Sequence, residues 1–427
     1  MGELSRRNAL GMGLGLGAAA IGLAGCGSAD ERSSPPAGRH TGAPGGPKGA
    51  PRITPHLIGD GSTAYTGRQP NQPPTPERLE PGRKPPQFVI ISWDGAGEVG
   101  TGLFPRFLKT AQDHGVHMTF FLSGLYLLPE SKRDLYKPPN NPVGASDIGY
   151  LTDEHLKSTL GYVRQAWLDG HEIGTHFNGH FCAGSGSVAK WTPDQWRSEI
   201  EQAKSFVTSW RTNTGWHAHD PLPFDYSREL IGSRTPCLLG QDNLLPVAKE
   251  LGWRYDASSP GGVQRWPSKR QGVWDFPLQG IPFPGHSFEV LSMDYNILAN
   301  QSKNSTRAPS YNYPGWREQA TESYLAGFRR AYETNRAPFF VGNHFEEWNG
   351  GIYMDAVEEA LKQMSDPKDV RMVSFRQFVD WLDAQDPALL RQLRALEVGE
   401  EPPGGWKNYL TAKAPSRSAA PKAAAHA

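Results

Sequence analysis

The chain has 427 residues, and its 44 Lys plus Arg balance 44 Asp plus Glu, giving a formal net charge of zero at pH 7. This balance argues against a protein that binds nucleic acid through a basic surface. The length suffices for one large domain with its own hydrophobic core.

The N-terminus carries the features of an export signal. Residues 5–10 read Ser-Arg-Arg-Asn-Ala-Leu, a twin-arginine-like start, and an apolar Gly- and Ala-rich run follows over 10–24. The run is short and ends in small residues, which favours a signal peptide over a membrane span. Residues 23–26, Leu-Ala-Gly-Cys, resemble a bacterial lipobox, so Cys26 is predicted to be lipidated; a cleaved signal with an incidental cysteine is the alternative.

These features predict an extracytoplasmic lipoprotein, exported already folded and held at the outer face of the bacterial cell membrane by its lipid alone. We expect it to be a monomer. Residues 27–86 are rich in Pro, Gly, Ser and Arg, with little apolar periodicity, and are predicted to form a disordered tether. Residues 400–427 are predicted to be a disordered tail, which leaves 87–399 as the folded domain.

Strand-like and helix-like segments alternate through this domain. An apolar run over 88–92 is followed by a helix near 105–112 and by a strand over 116–122. Thr152 is placed to cap a helix over 153–168, residues 171–175 are strand-like, and Pro193 opens a helix that runs to about 210. Buried strands separated by helices predict parallel strands with right-handed crossovers. About seven such units fit an α/β barrel, whose active site would lie at the carboxyl ends of the strands.

The segment 170–180, Gly-His-Glu-Ile-Gly-Thr-His-Phe-Asn-Gly-His, points most directly to chemistry. It places His176 and His180 four residues apart, and on one helical turn such a pair projects from one face and can reach a single cation. Neutral imidazole suits zinc and its transition-metal neighbours. Asp94, Arg234 and His344 also follow predicted strands or turns, so we expect all five side chains at one end of the barrel.

These residues stand in motifs that resemble the polysaccharide deacetylase (NodB-homology) family, carbohydrate esterase family four, including its chitin deacetylases. Segment 170–180 matches the family's Gly-His-Glu-Ile-Gly-Asn-His-x-x-x-His motif, with Thr175 in place of Asn. Residues 118–121, Met-Thr-Phe-Phe, are similar to the family's Ala-Thr-Phe-Phe strand. Residues 234–236 are similar to its Arg-x-Pro motif, and the apolar run into His344 to its last motif. The resemblance covers about 87–385 and implies a distorted (β/α)7 barrel.

The chain departs from the family at its first motif, Thr-Phe-Asp-Asp, in which the first Asp is the catalytic base and the second a metal ligand. Residues 92–95 read Ser-Trp-Asp-Gly, so Asp94 matches the base and Gly95 replaces the ligand. A register shifted by one residue would make Asp94 the ligand and leave no base. Catalytic zinc usually has three protein ligands; Glu98, Glu346, Glu347 or a water molecule is a candidate for the missing one.

The resemblance also implies roles for the other residues. Asp94 would take a proton from the attacking water, Arg234 would orient Asp94, and His344 would protonate the departing amine. The backbone N–H of Cys237 would stabilise the oxyanion. Asp294 and Asp275 are candidates for the acidic partner of His344.

With Cys26 assigned to lipid, Cys182 and Cys237 remain in an oxidising compartment. They lie beside two of the motifs, so a disulfide forms if those motifs converge; two separate buried thiols are the alternative.

Together these features predict a metal-dependent hydrolase, most simply a zinc enzyme, that removes acetyl groups from an N-acetylated polysaccharide. Trp348 and Trp191 offer aromatic faces for sugar stacking. A degenerate, carbohydrate-binding relative is the main alternative, since Gly95 removes a ligand. A glycoside hydrolase would need two carboxylates about 5–9.5 Å apart across the sugar bond, and the histidine pair argues against it.

Overall fold

A computed structural model describes residues 55–411. The predicted signal peptide, Cys26 with its predicted lipidation, and the end of the predicted tail lie outside the described residues. The strands are β1 (His56–Ile58), β2 (Thr63–Tyr65), β3 (Gln87–Asp94), β4 (Thr119–Leu122), β5 (Glu172–Thr175), β6 (Gly232–Ser233), β7 (Tyr255–Asp256), β8 (Lys269–Arg270), β9 (Val273–Asp275), β10 (Gly280–Pro282), β11 (Glu289–Leu291), β12 (Phe339–His344) and β13 (Val370–Met372).

The α-helices are α1 (Leu103–His114), α2 (Asp153–Leu168), α3 (Pro193–Thr208), α4 (Trp210–Thr214), α5 (Tyr226–Glu229), α6 (Gln241–Glu250), α7 (Asp294–Ser302), α8 (Tyr313–Glu333), α9 (Trp348–Ser365), α10 (Phe375–Ala384), α11 (Pro387–Ala395) and α12 (Trp406–Tyr409). Short 3-10 turns lie between several of them. Helix α2 has the predicted bounds, because the Thr152 side chain accepts a hydrogen bond from the His155 N–H and caps its first turn. Helix α3 starts at Pro193 as predicted, with Thr192 and Gln195 forming a capping box.

The principal sheet contains nine strands in the order β12-β3-β4-β5-β6-β7-β9-β8, with β13 paired to the first half of β3. Every pairing is parallel except that of β8 with β9. Side chains beyond β9 reach back to β12: Gln279 Nε2 donates to the Pro338 carbonyl, and Ser292 Oγ donates to the Phe340 carbonyl. The sheet therefore curls into a distorted barrel, which confirms the predicted α/β barrel-type fold.

Alternation along β3 determines which side chains face the barrel interior. Val89, Ile91 and Trp93 belong to the apolar cluster between the sheet and its surrounding helices. Phe88 and Ile90 belong to the second, interior cluster with aromatic residues of α10 and neighbouring strands. Because successive side chains of a strand point to opposite faces, Ser92 and Asp94 continue the interior face toward the carboxyl end of the strand.

The same period places the histidines. On β12, Phe340 lies in the interior cluster and Phe339 in the outer one, so His344 shares the interior face of Phe340. On β5, Ile173 packs outward. His176, three residues later, therefore continues the inward-facing series just after the strand ends.

The predicted domain boundaries at 86/87 and 399/400 require correction. Residues 55–86 are part of the fold: β1 and β2 form an antiparallel hairpin, and the Trp210 indole N–H donates to the Ser62 carbonyl. At the other end, Leu410 is buried and its carbonyl accepts from the Gly82 N–H. Backbone and side-chain hydrogen bonds along the barrel surface hold these segments in place, so their order does not require an apolar period in the sequence. Among residues 55–411, no helix is long and apolar enough to cross a membrane.

Candidate active site

The two motif histidines lie on a loop after β5 and not on a helical turn, which corrects the expected geometry. Phe177 and His180 both have left-handed backbone angles, φ +61° and +59°. These turns bring the two imidazole rings to a centroid distance of 5.1 Å. His176 Nδ1 donates to the Arg234 carbonyl over 2.8 Å, and this bond leaves Nε2 with its lone pair for another partner.

Arg234, which directly follows β6, connects the loop histidine to Asp94. Its Nη1 donates to Asp94 Oδ1 over 2.9 Å and to Ser92 Oγ over 2.7 Å, while its Nε donates to the Ala257 carbonyl over 2.8 Å. The guanidinium is fully buried and lies 4.9 Å from the centre of the Phe121 ring. One residue therefore positions Asp94 through its side chain and His176 through its carbonyl oxygen.

His344 closes β12 beside this group and is held by Asp294. The Asp294 carboxylate accepts from the His344 ring Nδ1–H over 2.8 Å and from the His344 backbone N–H over 2.7 Å. Burial alone would lower the pKa of His344, but the Asp294 carboxylate and the nearby Asp94 raise it to about 9. Asp294 is thus the acidic partner, whereas Asp275 lies on β9, where its carboxylate interacts with Ser259 and Arg270.

The pKa values of the other site residues are shifted in ways that set their charge at neutral pH. Burial would raise the pKa of Asp94, but the Arg234 guanidinium, with His176 and His344, holds it below its usual value. Burial lowers the pKa of His176, and it lowers that of His180 to about 3. At neutral pH the arrangement therefore contains an ionised carboxylate, two neutral imidazoles and a protonated His344.

The position of Gly95 is open. Its φ is +62°, and a Cβ placed on it would lie 3.8 Å from Ser123 Oγ and 3.8 Å from the Tyr126 ring and hydroxyl, which are ordinary contacts. Glu98 Oε1 accepts from the Gly100 and Gly102 N–H groups and stabilises the loop before α1, whereas its Oε2 is buried without a hydrogen-bond partner among residues 55–411. Glu346 is closer to the chemistry, since it interacts with His344 and with Tyr126.

Cys182 and Cys237 are joined by a disulfide with their Cα atoms 5.7 Å apart. The bridge links the histidine loop to the turn that follows Arg234. Cys237 and Leu238 have consecutive left-handed backbone angles, both with φ +57°. Backbone in this region is costly for residues other than glycine and is frequently retained at functional sites. The role of the Cys237 N–H as an oxyanion donor stays a prediction.

Several residues that the motifs did not single out support the site. Ser92 accepts from Arg234, and Tyr136 accepts from the Gly179 N–H while donating to buried Glu199. Ser92 shares a strand face with Asp94, so strand alternation alone could have indicated it. Of the two tryptophans, Trp348 lies with its ring 5.5 Å from that of His344. Trp191 is buried and donates to the Gly186 carbonyl, so it offers no face to a sugar.

No family model and no curated relative matches the chain. Solved structures do match, at low identity. A Mycobacterium smegmatis protein with a provisional assignment as a polysaccharide deacetylase is 14% identical, with a TM-score of 0.42, covering 73% of this chain and 95% of its own. The peptidoglycan N-acetylglucosamine deacetylase Bc1960 is 14% identical (TM-score 0.35; coverage 70% and 91%). BA3943 of Bacillus anthracis, a CE4 family pseudoenzyme, is 11% identical (TM-score 0.36; coverage 74% and 72%).

Two of these structures are named as polysaccharide or peptidoglycan deacetylases, and the third is named as a member of the CE4 family that the sequence motifs resemble. All three TM-scores are below 0.5, so the interpretation of the site depends on the residues of this chain.

Proposed function

We propose that the protein is a metal-dependent hydrolase that removes acetyl groups from an N-acetylated polysaccharide. The observation that carries this proposal is the position of Arg234, which binds Asp94 with its guanidinium and His176 with its carbonyl oxygen. These two contacts join the candidate base to the candidate metal ligand. His344 and Asp294 complete an acid–base arrangement on the same interior face.

The donor set fits a zinc-like ion in part. His176 and His180 offer two neutral imidazoles, and the Nδ1 bond of His176 is the kind of outer contact that orients a metal-binding histidine. They supply two protein ligands where catalytic zinc usually has three, and the family resemblance assigns the third to the position that Gly95 occupies. When bound, the ion would polarise the acetamide oxygen and lower the pKa of a water molecule.

The chain's own groups would act around that centre. Asp94 is ionised and would accept the proton of the attacking water, while Arg234 keeps its carboxylate oriented. His344 is protonated near neutral pH and would donate to the departing amine nitrogen. Its bond to Asp294 fixes the ring, so its Nε2–H is the proton available for transfer. The exposed part of Trp348 beside His344 would provide a stacking face for the sugar.

The predicted signal and lipobox support a location outside the cytoplasm, with the substrate a surface or environmental polysaccharide. Membrane contact would then be through the lipid at Cys26 alone.

The proposal is tested by zinc content and by acetate release in parallel. Zinc bound per chain is measured for the wild type, His176→Ala and His180→Ala, with the exposed His217→Ala as the matched control. We expect about one zinc ion per chain, lost in both site variants and retained in the control. Acetate release is then followed on chitin oligomers and peptidoglycan fragments, with Asp94→Asn expected to reduce the rate by about 10²–10⁴-fold.

The second candidate is a glycan-binding protein without catalysis, and Gly95 favours it, because the site has lost a carboxylate. In that case the wild type would stay empty of zinc after reconstitution and release no acetate, yet still bind the same oligomers.

A further inference from the structure

A second constellation of metal-ligating atoms lies at the edge of the site. His180 Nδ1 is 3.6 Å from Cys182 Sγ and 3.9 Å from Cys237 Sγ. Among residues 55–411 this is the single group of three His, Cys, Asp or Glu side chains whose ligand atoms all lie within 4.8 Å of one another. The atoms are two sulfurs and one imidazole nitrogen, a donor set typical of zinc and of soft transition-metal ions.

The disulfide makes these sulfurs poor ligands, since the thiolate is the metal-binding form of cysteine. A dithiol reductant would cleave the sulfur–sulfur bond, with two electrons and two protons passing to the cysteines as the reductant itself becomes a disulfide. Each thiol would then release its proton on binding a metal ion. Zinc–sulfur bonds of about 2.3 Å in a tetrahedron require the two sulfurs to stand roughly 3.8 Å apart.

The local structure permits this change. Cys182 is exposed, which gives a reductant access to the bridge. Cys182 lies in a loop and Cys237 in a short turn, and neither belongs to a strand of the barrel. His180 lies on the same loop two residues before Cys182, and its Nδ1 already lies near both sulfurs.

We propose that Cys182, Cys237 and His180 Nδ1 form a thiol-dependent site for zinc or a related divalent ion, which exists only when the disulfide is reduced. Disulfide and metal are alternative occupants of the same two sulfurs. This site shares His180 with the proposed deacetylase centre, but the two proposals can fail separately, because the two sulfur ligands belong to the thiol-dependent site alone. If the chain is exported folded, it passes from a compartment that keeps thiols reduced to one that permits disulfides, so both states would be encountered.

The test titrates cobalt(II), a spectroscopic substitute for zinc, into the full chain carrying Cys26→Ser, which removes the only other cysteine. The oxidised and dithiol-reduced proteins are compared after the reductant has been removed. We expect the reduced protein to bind one cobalt ion with a sulfur-to-cobalt charge-transfer band in the near ultraviolet, and the oxidised protein to lack that band.

Variants separate this site from the candidate active site. Cys182→Ser, Cys237→Ser and His180→Ala should each weaken the band-forming binding at least about tenfold, whereas His176→Ala should leave it unchanged. A reduced protein with two titratable thiols and no charge-transfer band would overturn the proposal. So would a band that survives His180→Ala, or a reduced chain that unfolds and does not refold with cobalt. Loss of acetate release or of zinc in the oxidised protein would count only against the deacetylase.

Discussion

Replacing Arg234 by methionine should destabilise the barrel strongly at neutral pH. Methionine fills a similar volume between Phe121 and Phe375 but removes the donors to Asp94, Ser92 and the Ala257 carbonyl. Removing one partner of a buried ion pair leaves an uncompensated charge and typically costs about 3–5 kcal/mol. For the 357 residues of 55–411, an unfolding entropy of about 2.1 cal/mol/K per residue sums to about 0.75 kcal/mol/K. The melting temperature should therefore fall by about 4–7 °C.

The pH dependence distinguishes a lost charge pair from a general packing defect. In the wild type the pKa of Asp94 is lowered, so the pair stabilises the fold above the carboxyl's ordinary pKa, and this stability is lost as pH falls through the lowered value. In Arg234→Met, burial acts without the guanidinium and raises the pKa of Asp94, so the variant recovers stability on acidification. The difference in free energy of unfolding between the wild type and Arg234→Met should accordingly shrink as the pH falls from about 7 to about 4.

The assay is thermal unfolding followed by circular dichroism in the presence of a chelator, so that bound metal does not contribute. Asp94→Asn and the double variant complete a mutant cycle. We expect the double variant to lose at least about 1.5 kcal/mol less than the sum of the single losses. A melting temperature within about 1 °C of the wild type, or a deficit equal at all pH values, would refute the buried-pair reasoning.

Three further substitutions test the surroundings of the site. Gly95→Asp adds a carboxylate where its Cβ has only 3.8 Å contacts, and zinc affinity measured by calorimetry should rise at least about tenfold. The left-handed backbone should lower the free energy of unfolding of this variant by about 1 kcal/mol. Gly95→Asn should show the same loss of stability without the full rise in zinc affinity. Asp294→Asn should bring the pKa of His344 down from about 9 to near or below its ordinary value, as followed by NMR of the ring protons; an unchanged titration would show that Asp294 is not the cause. Burial raises the pKa of Glu199 to about 7, so the free energy of unfolding of the wild type falls as the pH rises from the ordinary carboxyl pKa through 7. Glu199→Gln should therefore be more stable than the wild type by up to about 3 kcal/mol near pH 8 and equal to it near pH 5. Stability curves that run parallel in pH for the two proteins would contradict this.

Residues at strand ends were predictable from the sequence because their positions follow from a local period. Once β3 and β12 are recognised, alternation alone sends Asp94 and His344 to the interior face. The cap of α2 at Thr152 is equally local, since the side chain reaches a backbone N–H only three residues away.

Features that depend on tertiary contacts could not be predicted from the local sequence. The histidine spacing suggested a helical turn, but left-handed angles at Phe177 and His180 produce the approach instead. Asp294 is 50 residues from His344, and only the fold decides between it and Asp275. The sequence predicts a tether over residues 55–86 because their order depends on hydrogen bonds to distant segments, such as that between Trp210 and Ser62, and leaves no apolar period.

The energetics of Arg234 bear on the choice between an enzyme and a relic. A buried ion pair seldom stabilises a fold more than apolar residues of similar volume would, because both charges must be desolvated. Here the guanidinium is fully buried, and its Nη2 has no hydrogen-bond partner among the described residues, which adds to that cost. Ser123 Oγ, beside Gly95, is likewise buried and unpartnered within 55–411. Polar groups held at a cost around one end of a barrel are what a site for a polar ligand requires, so Gly95 alone does not make the site inert. Activity then depends on whether the imidazoles of His176 and His180 suffice to hold the ion. Comparing the zinc affinity of Gly95→Asp with that of the wild type measures this directly.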